Sequence, residues 1–385
     1  MSMFRNNIQR FLDAWFYELR SIFTDEGALL FCVVLPLAYP LIYSWIYNNE
    51  VVREVPVAIV DKSHSALSRK FIQKVDASPD VSVALYCNSV KEAKDAVGHG
   101  DAYGILLFPS DFATKSGRME QAHVSVYCDM SYMLTYKAIF QTCSNVSQLL
   151  GTEIKTAMSG NFTSREEEIS SRPLDFDEVP IFNVTGGYGN FVLPAVLVLI
   201  IQQAMLLAAG LLAGTDRERG WKSINGVVAP IFGKSFAYFT VFFPLLAYIT
   251  LIVPHIFGFV SMVQFEGWIR LMVPYTLACT LFSLVITSMV RYRENVMLLV
   301  VFTSLPMLFL SGISWPQSNV PGFWAAVATL FPSTFGIRGF VKMSSMGAIS
   351  SDIESEILSL WIQVALFGMI CVYVMYRRYN NLKYK

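Results

Sequence analysis

The sequence predicts a mainly α, polytopic membrane protein with six transmembrane helices, an N-terminal interfacial helix and an inserted α/β extracytoplasmic domain. The composition is 54% hydrophobic and 15% charged, whereas a soluble chain is usually about 25% charged. The charged residues concentrate between positions 50 and 178. Elsewhere, six uncharged stretches are long enough to cross a bilayer, which takes about 20 apolar residues as helix. This uneven distribution of charged residues predicts one aqueous domain and several membrane spans.

Residues 1–26 predict an amphipathic helix, because apolar side chains recur there at steps of three and four residues. These apolar residues are Phe4, Ile8, Phe11, Leu12, Trp15, Phe16, Leu19, Ile22 and Phe23. The residues predicted to form the polar face are Arg5, Gln9, Arg10, Asp13, Glu18 and Arg20. Trp15 and Tyr17 suit the headgroup level of a membrane, so we expect this helix to lie in the inner interface. Packing against protein is the alternative.

The first span is predicted at 27–49, and the other five belong to a five-helix membrane domain at 187–385. No small-residue cleavage pattern follows the first span, so we expect it to remain as an anchor. The five later spans are predicted at 188–213, 235–265, 271–290, 296–312 and 357–376. The uncharged stretch that contains the fifth span is too long for one crossing and is interrupted by prolines. We therefore expect short non-crossing helices at the outer face, in a region at 313–337.

The distribution of Lys and Arg predicts that both chain ends lie in the cytoplasm. With that orientation, 13 Lys and Arg residues flank the inner ends of the spans, and only Arg270, Arg338 and Lys342 flank the outer ends. Cytoplasmic loops carry an excess of these residues. Residues 50–186 then form a domain outside the cytoplasm.

The domain at 50–186 alternates strand and helix signals, which is typical of a small α/β fold. Strands are predicted at 55–60, 81–86, 102–108 and 122–128, and helices at 63–75, 89–97, 109–115 and 132–158. Ser63 or Ser65 is expected to cap the first helix, and Ser89 with Glu92 predicts a capping box on the second. Cys87, Cys128 and Cys143 lie in this domain, either in a disulfide or as free thiols.

Several function classes are disfavoured by what the sequence lacks. The net charge is zero, which gives no basic surface for nucleic acid. The span interiors carry no Asp, Glu, Lys or Arg, and ion-coupled transporters usually need them. The chain has no phosphate-binding G-x-x-x-x-G-K-[ST] loop and no metal-ligand spacing among its four histidines. We expect no metal, no catalytic residue and no ATP hydrolysis on this chain.

A charged loop at 214–224 separates two long apolar spans. Asp216, Arg217, Glu218 and Arg219 are consecutive charges, followed by Gly220, Trp221 and Lys222. Thr215 or Asp216 is expected to cap a short helix here, and Gly220 to end it. Because Arg and Trp are favoured in interfaces, the loop suits docking of a soluble partner. A plain positive-inside loop is the alternative.

This loop resembles the E-R-E-R-G-T signature of ABC-2 type transporter permeases, with Asp216 in place of Glu and Trp221 in place of Thr. A second segment, Leu310-Ser311-Gly312-Ile313-Ser314-Trp315-Pro316, is similar to the family's S-G-x-x-(F/W)-P motif. The residues that match this outer re-entrant motif and its extension are Ser311, Gly312, Trp315, Pro316, Pro321, Pro332, Thr334 and Gly339. The order of elements resembles the ABC-2 subgroup with a large extracytoplasmic domain after the first helix.

The resemblance implies the membrane-spanning permease subunit of an ATP-binding cassette exporter in a bacterial inner (plasma) membrane. Two related permeases would form a homodimer or heterodimer. A separate ATPase subunit, which binds ATP and Mg, would dock on the loop from Asp216 to Lys222, and this chain would bind no cofactor. The extracytoplasmic domain would either dock a periplasmic adaptor protein or gate the exit.

The apolar spans favour an amphipathic, drug-like or lipid-like cargo. Gln202, Gln203, Tyr238 and Thr240 are candidate pathway contacts. Hydrogen bonds between helices are the other explanation for these four side chains. One rival function is a non-transport membrane scaffold whose extracytoplasmic domain binds envelope or secretion partners. The other is a membrane enzyme, which the scattered positions of the four histidines disfavour.

Overall fold

The structure is a computed structural model that describes residues 2–118, 120–159, 182–183, 186–218, 228–290, 292–312, 315 and 319–383. The chain divides into two compact units. One comprises Met1–Glu50 with Ile181–Lys385, and the other comprises Val51–Pro180. Within the described residues, the first unit is helical and the second is an α/β domain.

The helical unit begins with α1 (Ser2–Thr24) and the first apolar helix, α2 (Glu26–Ile46). The side chains of α1 form three sectors. Ala14, Glu18 and Ile22 are buried. The apolar side chains that remain exposed in a second sector are Ile8, Leu12, Phe16 and Phe23.

The third sector of α1 is polar and includes Gln9, Asp13 and Arg20, all exposed. The prediction that Glu18 belongs to this polar face was wrong. The reason is that Glu18 finds a cation, Lys234, on a helix packed against α1. Helix α1 therefore has one stripe of side chains that packs against protein and a separate apolar stripe that is exposed.

The second unit contains strands β1 (Val55–Asp61), β2 (Val81–Tyr86), β3 (Gly104–Phe108) and β4 (Ser125–Cys128). Their order in the sheet is β2-β1-β3-β4, with β1 parallel to β2 and β3, and β4 antiparallel to β3. The helices of this unit are α3 (Ala66–Asp76), α4 (Val90–His99), α5 (Phe112–Gly117) and α6 (Met133–Ser159). Each strand and helix lies within two or three residues of its prediction.

Alternating side chains of β1 build a core on each face of the sheet, because successive residues of a strand point to opposite faces. Val57 and Ile59 pack with residues of α3, α5 and α6, whereas Ala58 and Val60 pack with residues of α4. The three cysteines of this unit are free thiols.

The caps of this unit differ in part from their prediction. Ser65 caps α3 in a reciprocal capping box with Ser68. The Ser89 hydroxyl accepts a hydrogen bond from the Glu92 amide at 3.2 Å. The predicted box on α4 was wrong in its second half, since the Glu92 carboxylate accepts from the amide of Asn88 at 2.8 Å instead of that of Ser89.

The remaining helices return to the helical unit. They are α7 (Tyr188–Glu218), α8 (Val228–Phe257), α9 (Phe265–Met289), α10 (Arg293–Leu310), α11 (Gly322–Ala328), α12 (Pro332–Met346) and α13 (Glu354–Lys383). Among the described residues, six helices are long and apolar enough to cross a membrane: α2, α7, α8, α9, α10 and α13. The predicted mainly α polytopic fold is thereby confirmed. The short helices expected after the fifth span are α11 and α12, and α12 continues beyond residue 337 to Met346.

Helix α7 lies at the centre of the bundle, and 83% of its most apolar stretch is buried. Small residues let α10 approach it closely, as is typical of membrane helices. A Cβ atom on Gly210 would lie 2.2 Å from Cγ1 of Val296, and one on Gly214 would lie 2.8 Å from Cα of Arg293. Tyr275 of α9 donates a hydrogen bond to the Val198 carbonyl of α7 at 2.8 Å. These contacts fix α7 against its neighbours.

Candidate functional site

The charged residues after position 215 continue α7 instead of starting a new helix. Asp216, Arg217 and Glu218 form its last turn. The prediction that Thr215 or Asp216 caps a short helix was wrong, because the Thr215 hydroxyl donates to the Leu211 carbonyl at 3.0 Å, within the helix. The other predicted coupling residues, Arg219, Gly220, Trp221 and Lys222, lie outside the described residues.

A polar network surrounds this last turn of α7. It is defined here as Tyr17, Glu18, Asp25, Thr215, Asp216, Arg217, Lys234, Tyr238 and Arg293. Its centre is Glu18, which is 2% exposed. One carboxylate oxygen of Glu18 lies 2.8 Å from Nζ of Lys234, and the other accepts a hydrogen bond of 2.8 Å from the Tyr238 hydroxyl. The network thus joins α1 to α8.

Lys234 also bridges the two helices that flank the charged loop. Its Nζ atom lies 3.4 Å from Oδ2 of Asp216, so the start of α8 is paired with the end of α7. The Tyr17 hydroxyl donates to Oδ1 of Asp216 at 3.1 Å. Burial, together with the adjacent Asp216 carboxylate, raises the pKa of Tyr17 above its ordinary value. Tyr17 therefore stays protonated and remains a donor.

A second ion pair fastens α10 to the start of α2. Arg293 donates to both oxygens of Asp25, with each distance 2.9 Å, and to the Thr215 hydroxyl at 2.7 Å. Asp25 also caps α2 by accepting from the Ala28 amide at 3.0 Å. Burial alone would raise the pKa of Asp25, but the hydrogen bonds from Arg293 and Ala28 outweigh it and lower that pKa below the usual 3.8. Such a bidentate pair is geometrically specific.

Arg217 points towards the end of α9. Its guanidinium donates to the carbonyls of Thr287 and Ser288, at 2.7 and 3.2 Å. The last carbonyls of a helix have no partner within the helix and carry partial negative charge, which a cation there stabilises. Arg217 therefore holds α9 as well as belonging to the charged loop.

The network brings the ends of six helices, α1, α2, α7, α8, α9 and α10, to one end of the bundle. The sequence prediction assigned a role to Asp216, Arg217 and Tyr238 but missed Glu18, Lys234 and Arg293. One signal was available for Glu18, which stands four residues after Ala14 and four before Ile22, and both of these are buried. No local sequence pattern indicates that Glu18 pairs with Lys234.

The residues of the outer motif line the end of α10 and the two short helices. Ser311 and Gly312 follow α10, and the Ser311 carbonyl accepts a hydrogen bond from Arg338 at 3.3 Å. The Thr334 hydroxyl donates to the Ala328 carbonyl at 2.7 Å, which ties α12 to α11. Gly339 permits close packing, because a Cβ atom there would lie 2.8 Å from the Leu271 side chain.

The other residues of this motif mark helix starts or a turn. Pro321 precedes α11, and Pro332 is the first residue of α12. The indole of Trp315 donates to the Asn319 carbonyl at 3.4 Å. Pro316 lies outside the described residues.

The four candidate pathway residues do not come together in one place. Gln202 is buried and accepts from the Ser333 amide at 2.7 Å, and both Gln202 and Gln203 donate to the Met307 sulfur. Tyr238 belongs to the polar network. Thr240 is exposed and donates to the Phe236 carbonyl of its own helix. Two of these residues therefore connect helices across the bundle, one joins the network, and one faces outward.

Within the described part of the chain, no group of three or more His, Cys, Asp or Glu residues is placed to hold a metal ion. In the network, Glu18 and Asp216 pair with Lys234, and Asp25 pairs with Arg293. Arg217 donates to backbone carbonyls at the end of α9. Such an arrangement can transmit displacement between helices.

Comparison with known proteins assigns the family. The family model described as "ABC-2 family transporter protein" matches residues 27–373, which is most of the chain and covers both units. No curated protein matches the sequence. The six helices that are long and apolar enough to cross a membrane agree with this match, so the chain belongs to the ABC-2 family of transporter proteins.

Proposed function

We propose that this chain is the permease subunit of an exporter driven by a separate ATP-binding subunit, which docks on the segment that begins with Asp216. A member of this family is a membrane subunit of an ABC transporter, and the sequence holds no phosphate-binding loop of its own. The observation that carries the proposal is the bridge from Asp216 to Lys234, which couples the helices on both sides of the docking segment.

In this proposal, ATP binding on the partner displaces the segment between Glu218 and Val228. Because Asp216 and Lys234 are paired, α7 and α8 move together. Glu18 passes the displacement to α1, and Arg217 passes it to α9. Packed helices respond to such a displacement by switching between discrete arrangements, as in rigid-body transitions.

The location, assembly and cargo belong to the same proposal. The excess of Lys and Arg at one side of the spans supports an inner membrane orientation with both termini cytoplasmic and the α/β unit outside. Family membership supports a dimer of permeases, either homodimer or heterodimer. The exposed apolar side chains of the spans and the lack of charge in their interiors support an amphipathic, drug-like or lipid-like cargo.

The docking segment is tested by charge reversal at Glu218, which is exposed, and at Arg219. Arg217 is a poor probe, because its reversal would also break the contacts with Thr287 and Ser288. We expect Glu218→Lys with Arg219→Glu to abolish co-purification of the ATP-binding subunit and the ATP hydrolysis stimulated by the permease. The matched control is Glu266→Lys with Arg270→Glu, an exposed pair on α9 whose two members pair only with each other among the described residues.

Unchanged association and unchanged stimulated hydrolysis in the reversed variant would remove the docking assignment. The cargo is tested separately on the wild-type complex. Amphipathic cations and short-chain lipids are expected to stimulate ATP hydrolysis, and sugars to leave it at its basal rate. Stimulation by sugars alone would contradict the cargo class but not the docking segment.

A further inference from the structure

The α/β unit contains a cleft of about 720 Å³ that the transport proposal does not use. It opens at the carboxyl ends of β1 and β2. Asp61, Lys62 and His64 contribute from the end of β1 and its loop, Arg69 and Gln73 from α3, and Tyr86, Cys87 and Asn88 from the end of β2. Its volume is in the range of small-molecule sites, about 300–1,000 Å³.

The connections of the sheet explain why a cleft lies here. The chain leaves β1 for α3, which packs on one face of the sheet, and leaves β2 for α4, which packs on the opposite face. The two loops therefore diverge and leave a gap outside the strand ends. In open α/β sheets, ligands bind in crevices outside the carboxyl ends of the strands. The position is thus one where a ligand site is expected on topological grounds.

The carboxylates at this cleft are already engaged. Oδ1 of Asp61 accepts hydrogen bonds from the amides of Ser63 and His64 at 2.9 and 3.0 Å, and Oδ2 accepts from the Ser68 hydroxyl at 2.7 Å. The nearby Glu92 accepts from the Asn88 amide at 2.8 Å. Neither carboxylate is paired with a cation of the cleft.

The cations at this cleft have no acidic partner in the part of the chain that the structure describes. Lys62 and Arg69 are exposed, and neither forms an ion pair within the described residues. Gln73 and Asn88 add amide donors, and Tyr86 adds a hydroxyl. The cleft therefore combines two exposed cations and several neutral donors with an Asp61 carboxylate that already accepts three hydrogen bonds. Its charge and hydrogen-bonding capacity complement an anionic oxygen group.

We propose that this cleft binds a phosphate group, with Arg69 and Lys62 as the charged contacts and the amides of Gln73 and Asn88 as neutral donors. A guanidinium matches two phosphate oxygens with paired N–H groups, and an ammonium adds a compact point charge. A soluble phosphate ester and a lipid headgroup both present this chemistry. The site is independent of the docking segment, so it stands or falls separately from the proposed transport function.

The test uses Cys87 as a reporter in the full-length protein held in nanodiscs of a zwitterionic lipid. Cys87 lines the cleft and is partly exposed, and Cys128 of the same unit lies outside the cleft and serves as the internal reference. The rate of alkylation of each thiol is measured by peptide mass spectrometry at mildly alkaline pH. The probes are inorganic phosphate, glycerol phosphate and water-soluble dihexanoylphosphatidylglycerol.

We expect one or more of these probes to slow alkylation of Cys87 in a saturable way and to leave Cys128 unchanged. Protection by glycerol phosphate identifies a soluble ester as the source, and protection by the short-chain lipid alone identifies a headgroup. In Lys62→Gln with Arg69→Gln, the apparent affinity is expected to fall by about tenfold or more, since hydrogen bonds to charged groups are lost.

The matched control is Lys91→Gln with Lys94→Gln, two exposed lysines of α4 outside the cleft, which removes the same charge. Its affinity should stay at the wild-type value. Arg69→Lys should retain part of the affinity, which separates lost charge from lost folding. The proposal is overturned if no probe protects Cys87, if Cys128 is protected equally, or if both double variants behave alike.

Discussion

At the scale of single residues, the polar network places ionised groups where burial removes much of their hydration. Removing an ion from water costs several kcal/mol, and a partner offsets this only when the geometry is good. Glu18 meets the condition with Lys234 on one oxygen and Tyr238 on the other. Because Asp216 pairs with the same lysine, substitution of Lys234 removes the cationic partner of two carboxylates.

Lys234→Met should therefore destabilise the protein by about 3 kcal/mol, since it leaves Glu18 buried beside Asp216 without a cation. Chemical unfolding in detergent measures the loss. Arg20→Met, which changes an exposed cation of α1 in the same unit, should stay within about 0.5 kcal/mol of wild type. Adding Glu18→Gln to Lys234→Met should restore part of the lost stability. A double variant as unstable as the sum of its parts would mean that the two side chains do not interact.

The ion pair of Asp25 with Arg293 predicts a dependence on acid pH. The pKa of Asp25 is lowered in the folded protein, so its stabilising contribution is complete above the usual value of 3.8 and is lost as the pH falls through the lower, folded value. Asp25→Asn keeps a side-chain oxygen for the Ala28 amide but removes the charge. At neutral pH, the unfolding temperature of wild type should be higher than that of this variant. The difference between the two temperatures should disappear as the pH falls below the usual pKa of Asp25. A gap that is constant with pH would contradict the assignment.

At the scale of elements, close helix approach depends on positions without a side chain. Gly210 and Gly214 stand one turn apart on α7, facing Val296 and Arg293 of α10. Membrane helices gain from such contact because lipid gives them no hydrophobic drive to associate. The branched Val296 has little rotational freedom in a helix, so it cannot yield to an added methyl group.

Gly210→Ala should cost about 1–3 kcal/mol, the usual cost of overpacking. Unfolding in detergent measures it, and Val296→Ala should relieve the clash when the two substitutions are combined. Gly368→Ala in α13 of the same unit is the matched control, since a Cβ atom there meets only Leu281 at an ordinary distance of 3.8 Å. This control should be neutral or slightly stabilising, because Ala favours helix over Gly. A neutral Gly210→Ala would show that α7 and α10 can separate freely.

At the scale of the whole molecule, the two units have separate hydrophobic cores. The core of the α/β unit is built from its own strands and helices, and the bundle core is built from the membrane helices and their neighbours. A unit with its own core is expected to fold as an independent domain.

Residues Val51–Pro180, expressed alone, should therefore be soluble and unfold cooperatively on heating, with circular dichroism of a mixed α/β fold. Ile59→Ala in the excised unit should lower its stability by about 2–5 kcal/mol, because Ile59 is fully buried. Gradual unfolding, insensitive to Ile59→Ala, would mean that the unit depends on the membrane helices.

Much of the fold could be predicted from the sequence because its signals are local. Apolar length marks each span, and alternation of strand and helix signals marks the inserted unit. The sequence predicted that Ser89 caps its helix, but it did not predict the partner of Glu92. Several backbone amides lie within reach of a flexible carboxylate, and the tertiary structure decides which of them it accepts from. The polar network escaped prediction because its pairs are remote in sequence, such as Glu18 with Tyr238 and Asp25 with Arg293.

The bridge between Asp216 and Lys234 closes the chain from residue 216 to residue 234 into a ring. A force applied to this segment is therefore transmitted to both α7 and α8. In the proposed mechanism, α7 and α8 consequently change position as a pair, and a substitution that separates Asp216 from Lys234 would let either helix move alone.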